Sequence, residues 1–540
     1  MTLLRISAAL AALLATGAAS ADNISLRLAY ADGRSGAVFS ARHAEIGDFA
    51  LTPDVRGESA GAQWRVVARD AQGAILHQVT VAGAQQRHVE AFNPATGAID
   101  ISATVRQASG TFEVSLPFDS ATASVEVLPV QAAPSRGGKS ATVAAAAIAP
   151  ASLARFDRAT LVKLAASSRS ARAAALASTT NATTILSTGP AASRMDYVFI
   201  GDGYTAAEMD KWHADAKKVI DGFLADPLFA ANRNALNIRR VDVVSNQSGV
   251  DEPDKGIYRD TALDAAFNCY NIDRLLCVDT DKVHDVVGSV LAPDERDVIV
   301  VVANSTRYGG SGGEVATLSM ATQSIEIALH EIGHTAFSLA DEYDYGTCSL
   351  DGEPGEPDVT MNGTRTVKWR SLISASTPVP TAAGVYPNGT VGAFQGAQYC
   401  TSGKYRPTEN SRMRTLGYPW HAVNEGAARK VFAQYSGGGS GVTQTGTVAA
   451  GGSISIPNVN PGWIRAAAGN ISLQLNGKAG TSYQLYLYQY GDSGWVQVAA
   501  SAGGTSSPSI SYSAGGGYYY AVATAVSGGA YTLTYSYTRP

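Results

Sequence analysis

Apolar and polar positions keep a period of two through the first part of this chain. From Asp22 to about Pro129, short runs such as Trp64-Arg65-Val66-Val67-Ala68 and Gly110-Thr111-Phe112-Glu113-Val114-Ser115-Leu116 are separated by Gly, Asp and Asn turns, which predicts a β-sandwich over 22–130. The rhythm then fades. Residues 131–193 are rich in Ala, Ser and Arg and poor in large apolar side chains. They read as a linker open to processing, helical around Leu153 to Leu176, or as an ordinary packed connector.

At Met195-Asp196-Tyr197-Val198-Phe199-Ile200 the pattern becomes that of alternating strands and helices. This strand turns at Gly201-Asp202-Gly203-Tyr204, and Thr205 with Glu208 forms a T-x-x-E capping box for a helix reaching about Leu224. Asp297 to Ala303 is a β-branched run that predicts a second strand. After the glycine-rich stretch Tyr308 to Gly313, Ser324 to Leu329 lacks Gly and Pro and opens a buried helix. The glycine-rich stretch lets backbone approach a ligand closely, or simply turns the chain. A last zone follows the flexible linker 436–441. There Tyr483, Tyr486, Tyr488 and Tyr490 alternate, and Tyr518-Tyr519-Tyr520 and Tyr531 to Tyr535 follow, predicting a small all-β domain over 442–540.

Three or four domains fit into 540 residues, and a formal charge of −5 argues against a nucleic-acid surface. Only 16% of residues are charged and 55 are glycine, a balance suited to an exported bacterial protein. The N-terminus agrees. Met1 to Ala21 carries one basic residue, Arg5, an Ala/Leu core from Ala8 to Ala15 and an Ala19-Ser20-Ala21 ending, which predicts a cleaved signal peptide over 1–21. That core is too short to span a bilayer, and no later segment is long enough, so the mature chain is expected to be secreted, to the periplasm or beyond the cell. Export favours disulfides. Of three possible connectivities, Cys269 with Cys277 and Cys348 with Cys400 is the expected one; no C-x-x-C spacing supports a zinc-thiolate cluster.

The sharpest chemistry lies in His330-Glu331-Ile332-Gly333-His334. On a helix, positions i and i+4 share a face, so both imidazoles can bind one Zn²⁺ while Glu331 serves as general base on a water. The bland alternative is an accidental pair of core histidines. A catalytic zinc takes a third protein ligand and leaves a fourth position open. Asp341 and Glu342 are the candidates, and neither side-chain chemistry nor spacing chooses between them. Eleven residues of unbroken helix would put Asp341 about 16 Å beyond His330, so the helix must break after His334 and the chain fold back. Asp251, Glu252 and Asp254 form an acidic cluster of the kind that holds Ca²⁺, but without EF-hand spacing a solvated loop is the ordinary reading. Gly201-Asp202-Gly203 lacks the lysine and the spacing of a P-loop.

His330-Glu331-x-Gly333-His334 with Leu339-Ala340-Asp341-Glu342-Tyr343, Gly201-Asp202-Gly203-Tyr204-Thr205, and Tyr405-Arg406-Pro407 leading to Met413 together resemble the IgA-peptidase family of zinc metallopeptidases. The resemblance implies a zincin-like α/β catalytic domain over 194–435, Asp341 as third ligand and Met413 as the methionine of a turn beneath the metal. It implies a secreted endopeptidase acting on extracellular proteins, without making immunoglobulin A the substrate. The family often has Gly after the second histidine, where Phe337-Ser338 stand here. The N-terminal domain resembles one found in the same family. It holds no cysteine to plug a zinc, and its role is a pro-segment or a docking module. The C-terminal domain resembles bacterial pre-peptidase C-terminal domains, and its tyrosines either fill a thin core or bind an extracellular surface or polysaccharide. Tyr405, Tyr418 and Tyr343 are candidates for stabilising an oxyanion, and His421 reads as structural. Two rival functions are a non-catalytic adhesin or carbohydrate-binding protein on a peptidase scaffold, and a zinc hydrolase for non-peptide bonds.

Overall fold

The computed structural model of the chain describes residues 22–33, 36–51, 62–82, 85–130, 152–175, 180–364, 366–435, 442–457, 463–478, 480–491, 494–501 and 505–537. The expected signal peptide over 1–21, much of the Ala/Ser-rich stretch (131–151 and 176–179) and the linker 436–441 lie outside them. The protein is multidomain and rich in β-sheet.

Two antiparallel sheets form the N-terminal unit. One has the order β2 (Gly36–Gly47), β1 (Asn23–Gly33), β7 (Ser109–Pro117); the other has β4 (Ile75–Ala82), β3 (Ala62–Arg69), β8 (Ser124–Pro129), β9 (Ala154–Asp157). Period-two alternation puts Ile24, Leu26, Leu28 and Tyr30 of β1 against Trp64 and Val66 of β3, Phe112 and Val114 of β7 and Val125 and Val127 of β8. The same core takes Leu161 and Ala165 from helix α1 (Arg158–Ala175). Beyond residue 130, β9 pairs with β8 and α1 packs on the core of this unit. A separate hairpin, β5 (Gln86–Phe92) with β6 (Ile99–Arg106), extends from the unit.

The middle unit is built on a six-stranded sheet of order β10 (Asn181–Leu186), β12 (Leu236–Asp242), β11 (Met195–Asp202), β13 (Val298–Ala303), β15 (Ala316–Ser319), β14 (Gly310–Ser311). Its four inner strands run parallel and both edges antiparallel. Strands covered on both faces need to be apolar throughout, and β11 and β13 are buried at every residue. Helix α2 (Met209–Ala225), the short α3 (Pro227–Ala231), α5 (Ser324–Phe337) and α6 (His421–Tyr435) pack on one face through Trp212, Phe223, Phe229, Ile332, Phe337 and Phe432. Helix α4 (Thr280–Val290) covers the other through Val283 and Val287. The Thr205/Glu208 capping box forms, opening a single 3₁₀ turn that leads into α2.

Asp202 shows why the first glycine-rich turn needs its residues. Its buried carboxylate accepts hydrogen bonds from the Leu263 and Ala265 amides, both at 2.9 Å, and from the Thr261 hydroxyl at 2.8 Å. Gly203 has φ +78, and a Cβ there would stand 2.1 Å from the Gly249 carbonyl oxygen. The Gly201-Asp202-Gly203 turn is a structural anchor.

Past Tyr435, a seven-stranded antiparallel sheet between Val442 and Tyr537 closes its own core around Leu473, Leu485, Tyr483, Tyr519 and Leu533. Cys269 pairs with Cys277 and Cys348 with Cys400. The second disulfide joins the loop after α5 to β17 (Cys400–Arg406), which pairs with β16 (Phe394–Ala397). Among the described residues no helix is long and apolar enough to cross a membrane.

Candidate active site

Helix α5 carries His330 and His334 on one face because they are four residues apart. His330 is fully buried, Glu331 is buried and His334 is about a quarter exposed. Two glycines let the surroundings close on them. A Cβ at Gly333 would lie 2.6 Å from the sulfur of Met413, which sits fully buried beneath the helix. A Cβ at Gly312, in the loop after β14, would lie 2.0 Å from Glu331 Oε2, so only glycine lets this loop pass the carboxylate.

Hydrogen bonding fixes both imidazoles. His330 Nδ1 is 2.9 Å from the Arg412 carbonyl oxygen, and His334 Nδ1 is 2.7 Å from that of Leu339. A carbonyl only accepts, so each Nδ1 carries its hydrogen and each neutral ring presents a lone pair at Nε2. These two Nε2 atoms face each other at 3.0 Å. Two lone pairs at that distance call for a cation between them, and the carbonyl partners are the kind that orient ligating histidines.

The chain folds back as the spacing demanded, with the break three residues later than expected. Helix α5 continues to Phe337 and stops at Ser338, whose φ of 53 is left-handed; the Leu339 amide then donates to the Gly333 carbonyl at 3.0 Å. A serine thus occupies the conformation where glycine is usual. The turn brings Asp341 Oδ1 to 3.2 Å from His334 Nε2 and 3.4 Å from His330 Nε2. Glu342 points elsewhere: it accepts from Ser411 Oγ at 2.7 Å and Asn424 Nδ2 at 2.9 Å, and its amide donates to the Met413 carbonyl at 2.8 Å. It fastens the folded-back segment to the Met413 turn. Arg412, within that turn, is paired with Asp226 at the start of α3.

Burial pushes Glu331 above the ordinary carboxylate range, despite the nearby imidazoles. The carboxylates favour a cation at the imidazoles: burial works against charge there, but Asp341 outweighs it at His334, raising it to about 9, and Asp341 with Glu90 raises His330 well above its usual value. Burial likewise opposes the Asp341 charge, yet His334 and His330 hold this carboxyl well below its usual range. Such a buried group is stabilised by positive charge at its centre.

Glu90, on β5 of the N-terminal unit, has no counterpart among the sequence candidates. Its Oε2 is 3.1 Å from His330 Nε2, and with both Nε2 atoms and an Asp341 oxygen it completes a set whose ligand atoms all lie within 4.8 Å of one another. Zinc–ligand bonds near 2.0–2.1 Å put tetrahedral donors about 3.3 Å apart. Separations of 3.0, 3.1, 3.2 and 3.4 Å fit that ion, and Asp341 Oδ1 is buried without a hydrogen-bond donor.

Tyr399, also absent from the candidates, donates to Asp341 Oδ2 at 2.6 Å, and its ring stacks on His88 at 4.7 Å. Tyr343 donates to Glu90, and Ser102 Oγ lies 2.9 Å from the same hydroxyl. Tyr405 packs on Gly363 beside Val367 and Trp369, and Tyr418 lies on the surface. His421 sits at the start of α6, its Nε2 3.2 Å from Asn388 Nδ2. Of the acidic cluster, Glu252 and Asp254 are engaged by the Arg307 guanidinium at 2.8 to 2.9 Å, and Asp251 accepts from the Arg259 amide at 2.5 Å.

Two solved structures resemble part of the chain. The pre-peptidase C-terminal domain of collagenase from Bacillus anthracis is 18% identical, covers 18% of this chain and 89% of its own, and has a TM-score of 0.15. The Yersinia pseudotuberculosis-derived mitogen is 15% identical, covers 18% of this chain and 86% of its own, also with a TM-score of 0.15. Scores this low carry no argument. The family comparison is different in kind: the model described as IgA Peptidase M64 matches residues 183–388, from β10 past both histidines, Glu331 and Asp341. Over this region, about two fifths of the chain, the protein is similar to the IgA peptidase M64 family.

Proposed function

We propose that the protein is a secreted, zinc-dependent endopeptidase with a zincin-like catalytic unit, in which His330, His334 and Asp341 hold the metal. One observation carries this reading: both Nδ1–H groups are spent on carbonyls, so two Nε2 lone pairs and an undonated Asp341 oxygen converge on one point. When bound, Zn²⁺ supplies Lewis-acid polarisation of a carbonyl and a lowered pKa for water. Glu331 takes the proton of the attacking water and returns it to the leaving amine, and its raised proton affinity suits that exchange. Met413 and Glu342 keep the ligand-bearing segments in register from below.

The test combines metal content with cleavage. One zinc per chain is expected, lost in His330→Ala and His334→Ala and kept in Glu331→Gln. Cleavage of a mixed peptide library is measured in a chain carrying Glu90→Ala, where the carboxylate opposite the imidazoles is gone. Adding Glu331→Gln to it should lower turnover by about a hundredfold or more, because the proton carrier is lost and no ligand is. Chelator-insensitive cleavage removes the zinc assignment. Zinc binding with no cleavage of any peptide favours a non-catalytic scaffold or a hydrolase of other bonds.

A further inference from the structure

We infer that Glu90 is a fourth metal ligand, supplied by the N-terminal unit, and that it closes the position a peptidase must leave open, so that the chain as folded is latent. This rests on the zinc reading above. A catalytic site keeps one position for water or substrate, whereas four protein ligands make a closed site. Here the fourth donor comes from a residue 240 positions away in the chain, on a unit with its own hydrophobic core.

The carboxylate is built into place. Glu90 is buried, its Oε1 accepts from the Tyr343 hydroxyl, and His88 Nε2 lies 3.2 Å from the same oxygen. Oε2 is left facing His330 Nε2. The rest of the β5–β6 hairpin covers the walls of the cleft. On one side the Arg87 guanidinium donates to the Gly312 carbonyl at 2.5 Å and to Ser311 Oγ at 3.2 Å, engaging the glycine-rich loop that passes Glu331. On the other side, Phe92 packs edge-on against His330 at 5.1 Å between ring centres, and with Ile99 it joins a cluster containing Ile327, Tyr343 and Leu416. Val89 and Ala91 pack on Ile272 and Leu275. The hairpin therefore lies across the glycine-rich loop and His330, and its carboxylate occupies the point where a scissile carbonyl would be polarised. A carboxylate here does what a thiol plug would do in a unit that has no cysteine.

The experiment uses the full chain loaded with Co²⁺ or Zn²⁺, as wild type, Glu90→Ala and the near-isosteric Glu90→Gln. Three readouts are taken: the visible spectrum of the Co²⁺ form with and without acetohydroxamate, zinc affinity in competition with a chelator, and cleavage of a peptide library. Removing a ligand that also blocks the site should move two of them in opposite directions. Zinc affinity should fall about tenfold or more, while cleavage rises about a hundredfold and the Co²⁺ spectrum becomes responsive to hydroxamate. Simple damage to the fold lowers both. If both variants keep the wild-type Co²⁺ spectrum and rate, Glu90 is not a ligand. If both lose metal and stay inactive, Glu90 holds the site together and the latency inference is wrong. A wild-type chain that takes up no metal overturns the zinc reading itself, and this one with it.

Discussion

Strand β1 in the N-terminal unit and strand Ser482–Gly491 in the C-terminal sheet both alternate, and they use their second faces in opposite ways. In β1 the apolar residues Ile24, Leu26 and Leu28 fill the core, while Ser25 and Arg27 on the other face are also buried, at 1% and 3% exposure. Arg27 donates to Asp285 Oδ1 at 2.8 Å and to the Asp281 carbonyl at 3.1 Å on α4. In the C-terminal strand Tyr483, Leu485 and Leu487 fill the core, and Tyr490, at its end, is 55% exposed. The polar alternates are hidden and the aromatic one is in water. Alternation sets which residues share a face, but whether the second face meets solvent or another unit depends on charge complementarity across a contact far apart in sequence.

The largest break in this comparison is expected at Arg296, after α4. It is almost fully buried, donating to Glu45 Oε1 at 2.8 Å and Glu113 Oε1 at 3.0 Å across the contact with β2 and β7. Arg296→Met removes the guanidinium that two buried carboxylates share, and removing one member of a buried pair costs about 3 kcal/mol or more. Urea denaturation should show that loss, and adding Glu113→Gln should recover part of it. A loss under about 1 kcal/mol would mean that the buried polar face holds no more firmly than an exposed one.

The next effect is a pH dependence. Burial opposes the Glu113 charge, but Arg296 and His284 hold its carboxyl well below the ordinary range. A depressed carboxyl contributes stability that is full above its unfolded pKa, near 4.3, and is lost as pH falls through the folded value. His284 has the opposite sign. Burial disfavours its charge, yet Glu314 and Glu113 raise its pKa, with Arg27 opposing them. Its contribution is full below about 6.5 and lost as pH rises through the folded value. Both contributions are therefore full between about pH 4.3 and 6.5. Protection of the β1 and β7 amides against hydrogen exchange, relative to their intrinsic rates at each pH, should be greatest there and should fall on either side. Flat protection from pH 3 to 9 would detach the interface from these charges.

These contrasts mark what could be read along the chain. The strand expected at Asp297–Ala303 is β13, and the capping box at Thr205 and Glu208 forms, because both are local patterns with local causes. The His330/His334 pair is legible for the same reason: four residues of helix bring two side chains together wherever the helix sits. Glu90 is not legible, since a glutamate in an alternating strand looks like any solvent-facing residue until the hairpin is laid over α5. Tyr399 and the choice between Asp341 and Glu342 depend on a fold-back turned at Ser338, where a serine stands in the left-handed cap. Helix α1 was readable as a helix, but not as the lid of the N-terminal core.

The smallest stability effect, and the sharpest contrast, is expected on the outer face of the C-terminal sheet. Tyr488 and Tyr520 stack at 4.8 Å with planes 9° apart, Trp495 meets Tyr520 edge-on at 4.7 Å, and Tyr490 lies 5.1 Å from Trp495. Tyr490 and Trp495 are 55% and 38% exposed, so replacing both by serine removes little buried area and should change stability by no more than about 0.5 kcal/mol. Aromatic faces held this way suit stacking on sugar rings. Retention on insoluble polysaccharide should fall in the double variant with denaturation unchanged, and in a chain carrying Glu90→Ala peptide cleavage should be unaffected by the two substitutions and persist when the chain ends at Tyr435. Undiminished retention would leave the aromatic face without that role. A stability loss of several kcal/mol, as for a core aromatic, would show that the second face is buried after all and dissolve the contrast with β1.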